Sequence, residues 1–101
     1  MTAFANCILS QIKKTLRQID DEFDDEIASY IDTCAMDLQN AGILPSFFTG
    51  VSVDPQILQA VRWYSLSVFG LYNADMEKYA AAYSSLKATL ATQRKYTEVA
   101  V

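Results

Sequence analysis

Apolar residues recur along this chain at helical spacing, and the pattern appears four times. Phe4, Ile8, Ile12 and Leu16 fall four apart, with Cys7, Leu9 and Ile19 widening the stripe. This predicts a first helix over residues 3–18. Lys13, Lys14 and Arg17 lie in its last turns, where cations suit the negative end of the helix dipole. Phe23, Ile27, Tyr30, Ile31, Cys34, Leu38 and Ala41 form one continuous face and predict a second helix over residues 22–41. Asp20 or Asp21 is its expected cap, and Glu22, Asp24, Asp25 and Glu26 load its first turns with negative charge. Gly42 stops this helix in the left-handed conformation, and Ile43 folds back onto Leu38 as a Schellman ending requires.

Residues 43–53 form a connection broken by Pro45 and Gly50. It is unusually apolar, with Phe47, Phe48, Val51 and Val53, and a small hairpin turning near Thr49-Gly50 fits it. Asp54 as N-cap and Pro55 at the first helical position open a third helix that continues to about Tyr72. Ile57, Leu58, Val61, Trp63, Tyr64, Leu66, Val68 and Phe69 leave it almost no polar face, which marks a central helix. After Asn73-Ala74, Asp75 caps a fourth helix, whose narrow seam runs through Met76, Tyr79, Tyr83, Leu86 and Leu90. The reading is all-α: a small four-helix bundle over residues 1–91, with an extended, flexible C-terminal tail over residues 92–101. That tail carries Arg94, Lys95, Tyr96, Val99 and Val101, residues of basic and then strand-forming type, suited to adding an edge strand to a partner.

Composition agrees with this picture. Of 101 residues, 51% are hydrophobic, with only 3 Gly and 2 Pro, which favours a few long helices. The net charge is −4 and the pI about 4.5. A surface that grips phosphate carries a basic excess, so dedicated nucleic-acid binding is disfavoured. There is no His, which removes the commonest general base and the commonest zinc ligand. Cys7 and Cys34 form no CxxC and fall inside apolar patterns. They read as buried thiols of a reducing compartment, and a bond between them would require neighbouring helices. No apolar run approaches the length of a membrane span and no basic leader opens the chain, so the expectation is a cytosolic protein.

The candidate chemistry is thin. The acidic run over residues 20–26 fails as a calcium loop, because counting from Asp20 puts Asp25 where Gly is needed and Ile31 where the bidentate Glu is needed. Glu22 and Glu26 share a face without a cleft or a nucleophile. No serine has a histidine to activate it, and no phosphate-cradling glycine motif is present. No catalytic, cofactor-binding or metal-ligating residue is expected, and no cofactor. What stands out is segregated charge. Lys13, Lys14 and Arg17 form a basic patch, while eight acids and no cation lie between Asp20 and Asp37. The two sets can neutralise each other within a subunit or pair between copies, and a head-to-tail contact of that kind can close into a ring. Phe47, Phe48 and Arg62, a lone charge in the most apolar helix, complete the candidate subunit interface with Asp24 and Asp25.

The order of these segments resembles a known family. The basic amphipathic helix, Asp20-Asp21-Glu22-Phe23-Asp24-Asp25-Glu26-Ile27, Leu38-Gln39-Asn40-Ala41-Gly42-Ile43, Asp54-Pro55-Gln56-Ile57-Leu58 and Asn73-Ala74-Asp75-Met76-Glu77-Lys78-Tyr79 follow one another as in the small head–tail connectors, or adaptors, of long-tailed double-stranded DNA phages and prophages. These are often labelled DNA-packaging proteins. The resemblance implies a non-catalytic subunit that forms a ring, dodecameric on the portal. It binds portal and a stopper or tail-completion protein, lies in the virion neck, and lets DNA pass without sequence-specific contact or any membrane. A different class, a helical adaptor that binds another protein's helix, shares the same composition and would stay monomeric or dimeric.

Overall fold

The computed structural model describes residues 1–69 and 74–99, and among these there is no strand. Its helices are α1 (Ala3–Thr15), α2 (Asp24–Asn40), α3 (Pro55–Val68), α4 (Met76–Ala91) and a single turn, α5 (Arg94–Thr97); a 3-10 turn, Pro45–Phe48, lies between α2 and α3. The all-α reading stands. The third helix was expected to reach Tyr72, but α3 ends at Val68. Leu71 and Tyr72, like the expected Val101 contact, lie outside the described residues.

The long helices run up, down, up and down. Lys13 near the end of α1 pairs with Asp24 at the start of α2 at 2.8 Å, so these two helices meet at one end of the body. Phe69, just past α3, meets Phe23 there at 5.5 Å between ring centroids. The opposite end gathers the start of α1, the 3-10 turn, the start of α3 and α5. Phe48 packs edge-on against Phe4 at 5.1 Å, and Phe47 lies 5.0 Å from Tyr96. A Cβ built on Gly50, at φ +86°, would lie 2.6 Å from the backbone of Ala3, so only glycine lets the connection press against α1. The two ends lie along a molecule 44 Å in its longest dimension.

The core joins Ile8 and Ile12 of α1, Ile27, Ile31 and Leu38 of α2, Ile57 and Val61 of α3 and Leu90 of α4, all fully buried. α3 packs against α1, α2 and α4, as expected of a helix without a polar face. The end of α2 is as expected too. Gly42 has φ +110°, Gly42 N donates to Gln39 O at 3.0 Å, and Ile43 N donates to Leu38 O at 3.1 Å with both side chains buried. α1 stops three residues early by the same device, at a residue not suited to it: Arg17 takes φ 59°, and Gln18 N donates to Lys13 O.

Four expectations are corrected. Ile19 does not widen the α1 stripe, because the helix ends before it, leaving it 98% exposed. Phe23, rather than Asp20 or Asp21, holds the N-cap position of α2; the Asp20 carboxylate instead accepts from Glu22 N in the preceding turn. The connection holds a 3-10 turn in place of a hairpin. The extended tail is replaced over Arg94–Thr97 by a helical turn. Tyr96 is the reason, since it is the largest fully buried side chain among the described residues.

Candidate functional site

The two ends of the bundle differ chemically. At the α1–α2 turn, Lys13 Nζ lies 3.0 Å from Asp21 and 2.8 Å from Asp24. Its hydrogen bonds to Asp24 and then to Asp21 push the ammonium above the usual lysine value, and the bond it donates to Asp21 holds that carboxyl below the usual carboxylate value. The basic and acidic sets therefore meet inside one subunit at this point. Lys14 and Arg17 do not join them. Both are exposed and in no ion pair among the described residues. Asp20, Glu22 and Asp25 are likewise exposed without a cation, while Glu26 accepts from the Tyr30 hydroxyl at 2.9 Å. With Asp75, Glu77 and Lys78 at the start of α4, this end carries eight acids and four cations. That is the whole net charge of −4, because the remaining four acids and four cations balance.

The outer face of α2 continues this strip. No Lys or Arg occurs from Gln18 to Val61. Met36 is 65% exposed on α2 and lies between two shallow grooves of about 350 and 250 Å³. Asp32 lines both. Its Oδ1 accepts from the Thr2 hydroxyl at 2.6 Å, and the same hydroxyl caps α1 by accepting from Ala5 N. This double use of Thr2 was missed because the first helix carries no other visible start signal.

One further acid of α2 turns inward. Asp37 accepts from the Tyr83 hydroxyl and from Lys87 Nζ, which fixes α4 to α2. The Tyr83 bond first, with Lys87 adding, keeps its carboxyl below the usual range; burial raises the Tyr83 hydroxyl. Burial likewise pushes the neighbouring Cys34 thiol up to about 12, so it is inert. Cys7 and Cys34 are both free.

At the opposite end one carboxylate holds three elements. Asp54 Oδ1 accepts from Gln56 N and Ile57 N, capping α3, and from the Tyr96 hydroxyl at 2.9 Å. Its Oδ2 lies 3.2 Å from Lys95 Nζ. Burial alone would raise this carboxyl, but the bonds from Tyr96, Lys95 and the two amides outweigh it and hold the value low. Leu44 N donates to Tyr96 O at 2.8 Å, completing the dock. The sequence shows the cap but not its second use.

The expected interface residues are therefore scattered. Lys13 and Asp24 are engaged with each other, and Phe47 and Phe48 are half-buried against the core. Arg62 is half-buried and meets no carboxylate; its Nη1 reaches Gln59 Oε1 on its own helix at 3.5 Å. Of the expected docking residues, Lys95 and Tyr96 grip Asp54, while Arg94 and Val99 face outward, Arg94 at 3.7 Å from Glu98. Among the described residues no helix is long and apolar enough to cross a membrane, and no group of His, Cys, Asp or Glu is arranged to hold a metal ion.

What these surfaces serve is indicated by comparison with protein families. The phage connector protein model matches residues 8–97, almost the whole bundle and both of its ends. The chain belongs to the phage connector protein family. Comparison with curated proteins and with solved structures gives no match. For a connector, the useful features are its exposed surfaces. Those of this connector are the acidic turn end, the open face of α2 and the α5 dock. Its role lies in joining phage head and tail components.

Proposed function

We propose that this connector is the ring-forming adaptor subunit between head and tail. It binds beneath the portal after packaging, extends the DNA channel and presents a platform to the stopper or tail-completion protein. The observation that supports this reading best is the unpaired charge. Lys14 and Arg17 stand free at the same end as the free acids Glu22 and Asp25, because Lys13 has already tied α1 to α2 there. Free cations on one copy can meet free acids of the next, and repetition of such a heterologous contact closes a ring when the rotation fits. An acidic channel wall also suits DNA passage, since it repels phosphate where a basic wall would hold it. Portal docking is assigned to the outward residues beside the α5 dock, Arg94 and Val99, with the cytoplasm of the host as the place of assembly and the virion neck as the destination.

The test is to mix the purified protein with its cognate portal and measure mass and symmetry. A ring with the copy number of the portal, dodecameric on a dodecameric portal, is expected. A protein that remains monomeric at high concentration and ignores the portal would overturn the reading. Arg94→Glu with Val99→Asp leaves Tyr96 and Lys95 in place, so it should lower portal binding without lowering the melting temperature.

A further inference from the structure

The connector reading leaves open which surfaces touch in the ring, and two unused features of the molecule answer each other. The first is the turn after α1. Ile19 is 98% exposed there, beside the free cations Lys14 and Arg17. A single exposed isoleucine is ordinary on a protein surface. Here it closely follows two unpaired cations in the chain, so an exposed apolar side chain and charge of one sign stand together at this turn. The second is the open face of α2 at Met36. The smaller groove has an apolar floor in Ala35, Phe4 and Phe48 with Asp32 as its charged lining residue, and the larger one is lined by Asp32 and Asp37. Asp32 meets no cation, and no Lys or Arg is present anywhere from Gln18 to Val61.

We propose that Ile19 of one copy seats beside Met36 of the next, with Lys14 and Arg17 facing Asp32. This rests on the ring reading above and names its seam. The occupant is a second copy because the chain carries both halves, opposite in charge and each with an exposed apolar side chain. Met36 lies 12 residues along α2 from Asp24, about 18 Å at the helical rise, so the two halves are at different places on one subunit. The contact is therefore heterologous. Every copy gives its turn to one neighbour and its α2 face to the other, as closure requires.

Cysteine pairs test the seam in the full-length chain with Cys7→Ser, the buried Cys34 being left in place. Ile19→Cys and Met36→Cys in the same chain, oxidised mildly on the portal, should give a ladder of covalent oligomers. Either substitution alone should give none, and an equal mixture of the two single variants should give dimers only. Ile19→Asp in the unaltered chain should weaken self-association about tenfold or more with an unchanged melting temperature. Dimers from a single variant would overturn the proposal in favour of an isologous contact. A ring of full size on the portal without the ladder would overturn it while leaving the ring reading intact. No ring and no ladder would remove both.

Discussion

The two ends of the bundle solve the same problem, joining helices, by opposite means. At the α1–α2 turn the joint is electrostatic: half-buried Lys13 bridges half-buried Asp24 and exposed Asp21, Ile19 stays outside, and Phe23 is only partly covered, against Phe69. At the other end the joint is buried and apolar, with four rings and a shielded carboxylate drawing the 3-10 turn, α3 and α5 together. Ion pairs still in reach of water contribute little to stability, whereas a filled aromatic socket contributes several kcal/mol. The α5 end should therefore carry stability, and the turn end should be free to carry recognition.

The largest expected effect tests that division at Tyr96. Tyr96→Ala empties a fully buried site and should cost about 3–5 kcal/mol, read as a lower denaturant midpoint. A chain ending at Ala91 should be destabilised likewise, although the sequence pattern suggests an indifferent tail. An unchanged midpoint in both would mean that α5 rests on the body without supporting it.

Next comes the cap. Asp54→Ala should cost about 1–2 kcal/mol, because the start of α3 loses its side-chain acceptor. Asp54→Asn adds a pH signature. Hydrogen bonds hold the Asp54 and Asp37 carboxyls below the usual carboxylate range, so their contribution is complete above that range and is lost as the pH falls through the lower folded values. Melts from about pH 5 to about pH 2 should fall less steeply for Asp54→Asn than for the parent. Equal slopes would assign the acid sensitivity elsewhere.

Effects should shrink at the turn end. Lys13→Met should lower the melting temperature slightly at low salt, and the difference from the parent should fade as salt screens the pair. A salt-independent loss would show packing rather than charge at work. Smallest of all, Ile19→Ser should change stability by less than about 0.5 kcal/mol, which differential scanning calorimetry can check.

How far the sequence revealed this comparison follows from the range of the forces. Schellman closure at Gly42-Ile43, the Asp54-Pro55 start and the central third helix were legible because each depends on residues a few positions apart. The α5 dock was not. Tyr96 meets Asp54 across 42 positions, and the seam of α4 ends, by local spacing, at Leu90. Ile19 was misread for a local reason: only the unusual left-handed Arg17 ends α1 early, and arginine gives no warning of that conformation. For the candidate site, charge segregation was plain in the sequence. Which charges were already paired was not, because that depends on how α1 and α2 face each other.

The uneven placement of charge gives this subunit a direction in space before it touches anything. With all the net charge at one end of a 44 Å body, the molecule is an electric dipole. Near DNA or any polyanion it is turned so that the acidic tip points away and the neutral end with Tyr96 leads. At physiological salt the screening length is about 8 Å, much shorter than the body, so an approaching partner senses one end and not the average of both. Orientation is thus selected during the encounter, and raising the salt should slow productive docking more than it loosens the docked state.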